Sequence, residues 1–173
     1  MAKTLISFFS RADENYFGGA MRYVKVGNTE IVVEQMKKML TADTFKIEMK
    51  EPYSPVYMTC IDEAKKHLRS GARPELVSMP DSIDEYDTII LGYPNYWGTM
   101  PMAVMTFLEA FDFSGKKILP FCTNEGSGMG KSESDIKKAC AGANVVSGLS
   151  IMGSNAADSG SSVKKWLKKN GII

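Results

Sequence analysis

Histidine is nearly absent from this chain, with His67 as its sole representative. A Ser-His-Asp triad, a multi-histidine metal site or a histidine proton relay therefore has almost no material to draw on. Cysteine is scarce too. Cys60, Cys122 and Cys140 make an odd count with no CxxC pair, which argues against a disulfide framework or a zinc site and for a reducing compartment. Charge of one sign is lacking: 21 basic against 20 acidic residues leave a formal net charge of +1. With no basic stripe there is no electrostatic case for nucleic acid. The densest basic run, Lys164 to Lys169, reads as the solvated face of a terminal helix. Long hydrophobic runs are missing as well. Leu5 to Phe9 gives way to Arg11, Asp13 and Glu14, too short for the apolar core of a signal peptide. Nothing approaches membrane-spanning length. The expectation is a cytoplasmic protein with no membrane span.

What is present is enough for a globular core. The 173 residues are 44% apolar and 24% charged, which suits one domain spanning 1–173. Lys3 to Phe9 and Asp87 to Tyr93 are continuous apolar runs, as expected of strands buried on both faces. Thr44 to Met49 and Lys116 to Cys122 read as further strands, and Ala143 to Met152 as the last one. Helical spacing marks 28–40, with Val32, Met36, Met39 and Leu40 on one face, and 57–69, with Ile61, Ala64 and Leu68. Pro101 to Ala110 predicts a short helix with Pro101 in its first turn. Ser132 to Cys140 follows, with Ser132 and Asp135 spaced as a capping box. Ser159 to Lys169 closes the series at Asn170-Gly171.

Strands and helices thus alternate five times. That pattern predicts an α/β fold with a parallel sheet and helices on both faces. Right-handed crossovers bring every strand's carboxyl end to one rim, where such sheets bind ligands. Three loops lie there: Ser10–Asn28, Pro94–Met100 and Thr123–Gly130. In the first, Ser10 to Asn15 follows the strand directly and Gly27-Asn28-Thr29 opens a helix. A helix start offers unpaired N–H groups and partial positive charge, a seat for phosphate. There is no GxxxxGK[ST] and no GxGxxG at this turn. In the second loop, Tyr93-Pro94-Asn95-Tyr96-Trp97-Gly98-Thr99, the adjacent aromatics would stack on a planar ring. The third, Thr123-Asn124-Glu125-Gly126-Ser127-Gly128-Met129-Gly130, would let backbone reach the edge of a flat ligand.

The combination resembles the flavodoxins, and within them a bacterial short-chain flavodoxin-like group. The resemblance rests on Phe8-Phe9-Ser10-Arg11, Glu14-Asn15-Tyr16, Val26-Gly27-Asn28-Thr29-Glu30, the 91–99 loop and Pro120 to Gly128. It implies a three-layer flavodoxin-like fold with a five-stranded parallel sheet of order 2-1-3-4-5. It implies FMN as cofactor, with Ser10, Arg11, Asn15, Asn28 and Thr29 at its phosphate and Val26 and Gly27 also in the cofactor site. Pro94, Asn95, Tyr96, Trp97 and Gly98, with Thr123, Asn124, Glu125, Gly126, Ser127 and Gly128, would hold the isoalloxazine.

Two features depart from the family pattern. Tyr16 to Lys25 is inserted between the halves of the phosphate loop. The net charge also lacks the acidity that steers dedicated flavodoxin shuttles to basic partners. Two functions stay open: a carrier passing electrons to a redox partner protein, or an NAD(P)H-dependent FMN/quinone oxidoreductase acting on a small oxidant. A phospho-receiver fares badly, since Ser10-Arg11 and Pro94-Asn95 stand where it needs acidic residues.

Overall fold

The computed structural model describes residues 2–173. The elements, in order, are β1 (Thr4–Phe8), β2 (Asp13–Phe17), β3 (Ala20–Val24), α1 (Asn28–Lys37), β4 (Asp43–Lys46) and α2 (Tyr57–Ser70). They continue with β5 (Thr88–Pro94), α3 (Met102–Glu109), β6 (Lys117–Asn124), α4 (Ser132–Ala139), β7 (Asn144–Val145) and β8 (Leu149–Met152). A 3-10 turn (Gly153–Asp158) then leads to α5 (Gly160–Lys169).

The main sheet runs β4-β1-β5-β6, with β7 and β8 both lying along β6. All pairings are parallel, among them Ile6 opposite Ile90 and Ile89 opposite Ile118. Taken as halves of one edge strand, β7 and β8 complete the expected 2-1-3-4-5 order. Alternation along the strands divides the core. Leu5, Ile89, Leu91 and Ile118 face α2, α3 and α4 through Cys60, Ala64, Val104, Phe107 and Ile136. Ile6, Ile90, Leu119 and Phe121 face α1 and α5 through Val32, Val33, Met36, Val163 and Leu167. Among the described residues no helix is long and apolar enough to cross a membrane.

Three local expectations give way to different arrangements. First, the segment 13–24 forms an antiparallel hairpin, β2 with β3. Its turn residues Gly18 and Gly19 both have positive φ, 61° and 79°, the requirement of the tight turn that best matches strand twist. Second, the last strand is broken. Ile118 pairs Val145 and Phe121 pairs Leu149, so three steps along β6 answer to four along its neighbour. The extra residue is a bulge opposite Pro120, which has no N–H to give to a ladder. Side chains take the freed backbone groups: Trp166 Nε1 donates to Ser147 O at 3.1 Å, and Gly148 N donates to Glu133 Oε2 at 3.0 Å. Third, Ser132 does not cap α4. It is fully buried inside the helix, so its hydroxyl turns to Met129 O at 2.6 Å and accepts from Tyr93 OH at 2.8 Å. Asp135 instead accepts from the Thr99 hydroxyl at 2.6 Å. Pro101 likewise precedes α3 as its N-cap rather than lying in the first turn.

Candidate functional site

A cavity of about 370 Å³ opens at the carboxyl rim of the sheet, within the size range of small-molecule sites. The loops after β1, β5 and β6 build one side of it. The hairpin and the first turns of α2 build the other.

One end of the cavity is the tip of α1. Gly27 precedes the helix with no side-chain cap of its own. The cap comes from across the loop, where Ser10 Oγ accepts the Glu30 N–H at 3.1 Å. Ser10 therefore backs the helix tip and does not line the cavity. A Cβ on Gly27 would run into Ser10 Oγ and would stand 2.5 Å from Arg11 O, so the two halves of the loop meet with no room for a side chain. Asn28 and Thr29 face the cavity. The Thr29 hydroxyl is tied to that of Thr123 at 2.8 Å in a buried pair.

The other end is aromatic. Tyr96 N donates to Thr99 O at 2.7 Å and Thr99 N returns a bond to Tyr96 O at 3.4 Å. Between them Trp97 and Gly98 have φ of 58° and 84°, which makes this a type I′ turn. Glycine takes such a φ freely, whereas a bulky residue there is an outlier. Trp97 is held in place by its own side chain. Its Nε1 donates to Ile61 O at 2.8 Å, and Lys65 Nζ sits 4.8 Å from the ring centroid. The residue stays 45% exposed. Gly98 is pinned on both sides: its N–H reaches Asn95 Oδ1 at 2.9 Å and its carbonyl accepts from Lys131 N at 2.8 Å. Tyr96 turns inward, with its ring 6.0 Å from both Phe9 and Tyr53. Burial raises its hydroxyl well above the ordinary tyrosine value.

The third loop differs in detail from the backbone-lined edge that its composition predicts. Asn124 Oδ1 accepts the N–H groups of both Gly126 and Gly128, at 3.0 and 3.1 Å. Those amides are spent internally, and neither glycine lines the cavity; Thr123, Asn124, Glu125 and Ser127 do. Glu125 Oε2 accepts from Gly18 N at the hairpin tip at 3.2 Å, while Glu125 Oε1 is buried without a partner. Val26 is exposed and lies off the wall.

Thirteen of the expected residues are thus gathered on one surface: Arg11, Asn15, Asn28, Thr29, Pro94 to Gly98, Thr123 to Glu125, and Ser127. Ser10, Val26, Gly27, Gly126 and Gly128 are not on it. Six further residues are: Tyr16, Tyr57, Cys60, Ile61, Ala64 and Gly153. Tyr16 comes from the hairpin, and the Gly18-Gly19 pair is the signal that could have placed it. The next four occupy one face of α2 at helical spacing. Burial pushes the Cys60 thiol up, opposed in part by the Arg11 charge.

The donor set fits a phosphorylated, planar, hydroxyl-bearing ligand. The wall holds a helix tip with amide and hydroxyl donors, an aromatic face, and a buried carboxylate oxygen that lacks a donor. Gly153 leaves a cradle beside that oxygen. A Cβ there would lie 2.5 Å from Asn28 Nδ2 and 2.6 Å from Glu125 Oε1.

The comparisons with known proteins agree with this architecture. The chain is similar to a candidate flavoprotein from Bacteroides eggerthii, at 22% identity over all of both chains with a TM-score of 0.79. It is similar to another from Bacteroides uniformis, at 26% identity over 96% of this chain and 98% of the other, with a TM-score of 0.75. A Lactobacillus acidophilus flavoprotein, solved in complex with FMN, shares 19% identity over 96% and 99% of the two chains, with a TM-score of 0.66. A search among curated proteins found no match. The family model described as flavodoxin matches residues 20–170, and the chain belongs to the flavodoxin family.

Proposed function

We propose that the rim cavity holds one FMN non-covalently and that the protein passes electrons through it. One observation carries this reading: the tip of α1 and the Trp97 turn open into the same cavity, so a phosphate seat and an aromatic wall are available to one ligand. Bound FMN supplies reversible one- and two-electron chemistry; the protein supplies binding and surroundings. Asn28 and Thr29 would meet the phosphate, helped by the partial positive charge of the α1 start. Trp97 would cover a face of the ring. The free oxygen of Glu125, beside Asn28, would accept from a ligand hydroxyl. Tyr16 and Tyr57, with rings 6.4 Å apart, would keep water from the far side.

The test is a titration of apoprotein with FMN, followed by quenching of flavin fluorescence. One equivalent should bind. Riboflavin, lacking the phosphate, should bind at least about tenfold more weakly, since a hydrogen bond to a charged group contributes ~1.5–3 kcal/mol. An absence of FMN binding refutes the proposal.

A second reading is an NAD(P)H-dependent FMN/quinone oxidoreductase. The near-zero net charge favours it, because a dedicated carrier gains from a strong field that steers it to its partner. Rapid NADPH oxidation by the FMN-loaded protein with a quinone supports the enzyme; none supports a carrier.

A further inference from the structure

The flavodoxin resemblance assigns Arg11 to the FMN phosphate, and the geometry points elsewhere. We propose that Arg11 is the charge partner of the ring end of the ligand, so that reduced FMN, whose ring is anionic, is held more tightly than the same cavity would hold it without Arg11. The inference rests on the FMN reading above.

Arg11 follows Ser10 in the chain, and its guanidinium is held by the hairpin and the segment leading into α2. One terminal nitrogen donates to Glu14 O at the start of the hairpin, and the other to Ser54 O, ahead of α2, at 2.7 Å. Both carbonyls belong to the side of the cavity that carries Tyr16, Tyr57 and Cys60. The Arg11 charge is close enough to Tyr57, Cys60 and Tyr96 to oppose the burial that raises each of them. These groups line the aromatic end.

Two further observations show that the protein leaves this charge uncompensated. Among the described residues, no carboxylate forms an ion pair with Arg11. Its Nε is buried with no hydrogen-bond partner, a costly state for a cationic donor. At the helix tip, by contrast, a phosphate has amides and hydroxyls to meet.

Two electrons and one proton entering the neutral ring of FMN leave that ring with one net negative charge. A lone cation on the wall attracts this charge and has nothing comparable to attract in the oxidised ring. The affinity for reduced FMN therefore rises relative to that for oxidised FMN, and the midpoint potential rises with it.

The test compares wild type, Arg11→Lys and Arg11→Gln, with thermal melts to establish that each is folded. The two-electron midpoint of bound FMN is read by dithionite titration against a reference dye, and affinities for FMN and riboflavin are read separately. Arg11→Gln should lower the ratio of reduced to oxidised affinity about tenfold, or about 30 mV for a two-electron couple. It should leave the preference for FMN over riboflavin unchanged, and Arg11→Lys should keep most of the wild-type midpoint. In wild type alone, the midpoint should fall by about 30 mV per pH unit between roughly pH 5.5 and 8, because tenfold in proton activity enters once per two electrons. A slope near 60 mV per unit would mean a neutral reduced ring and would overturn the inference. So would an unchanged midpoint in Arg11→Gln, or a collapse of FMN-over-riboflavin preference in that variant, which would return Arg11 to the phosphate. A wild-type protein that binds no FMN refutes the FMN reading and takes this inference with it.

Discussion

Replacing Gly98 with alanine isolates a conformational cost from a steric one. Gly98 has φ of 84°, and a Cβ built on it meets nothing within 4 Å. The Asn95 and Lys131 bonds to its backbone survive the change. What remains is the penalty for an L-residue in left-handed space, about 1–2 kcal/mol. Alanine also restricts the unfolded chain, which returns about 0.4–1 kcal/mol. The net loss should be close to 1 kcal/mol, or ~2–4 °C in melting temperature for a chain of this size. Urea denaturation is the assay: the midpoint should fall with the slope unchanged. Gly98→Asn should lose less, because asparagine tolerates the left-handed region. A neutral or stabilising Gly98→Ala would mean that the turn does not require positive φ, and the account of how Trp97 is presented would fail.

Other outcomes follow from the same geometry. Gly27→Ala has an ordinary φ of −69° but brings a Cβ onto Ser10 Oγ and Arg11 O; it should weaken FMN binding far more than Gly98→Ala, as read by fluorescence titration. Thr29→Val leaves the Thr123 hydroxyl buried and unpaired, costing ~1–3 kcal/mol in urea denaturation, and Thr29→Val with Thr123→Val should cost less than the single changes summed. Burial pushes the thiols of Cys122 and Cys140 up to about 12, so neither should react with iodoacetamide at pH 8 until the protein is unfolded. Arg73 holds Glu109 in a two-pronged pair at 2.8 and 2.9 Å, which depresses the Glu109 carboxyl. Because a depressed carboxyl stabilises above its unfolded pKa, Glu109→Gln should cost no more than ~1 kcal/mol at neutral pH, the pair being half-exposed. That cost should fade as pH drops through the folded carboxyl's range.

Much of the fold is legible in the residues because apolar strands buried on both faces leave a strong signal. Leu5 to Phe8 and Ile89 to Tyr93 could hardly be placed elsewhere. The hairpin is less visible because its strands carry a mixture of charge and aromatics, as Asp13-Glu14-Asn15-Tyr16-Phe17 shows; its only firm mark is Gly18-Gly19. The bulge near Gly148 depends on a missing donor at Pro120, one strand away and distant in sequence. Ser132 and Asp135 have the spacing of a cap, but the neighbouring Tyr93 and Thr99 compete for both side chains and win. At the site, the three loops declare themselves by composition and position after the strands. The contribution of α2 does not: Ile61 and Ala64 read simply as its apolar face. Gly126 and Gly128 suggest open amides until Asn124 is seen to occupy them. Arg11 shows the limit most clearly. Its place in the chain is beside the phosphate loop, while its side chain reaches for a carbonyl 43 positions away at Ser54.

The close contact of Gly27 with Ser10 and Arg11 means that the excursion from Ala12 to Val26 leaves and re-enters through one narrow doorway. A polypeptide that departs and returns at the same spot can be lengthened or trimmed toward its tip without disturbing the threshold. The α1 tip and its crosswise Ser10 cap would remain, while everything contributed by Tyr16 and the Gly18 contact would change. Variation in the length of this finger is thus a means of reshaping who may approach the cavity, with the anchorage at its foot left intact.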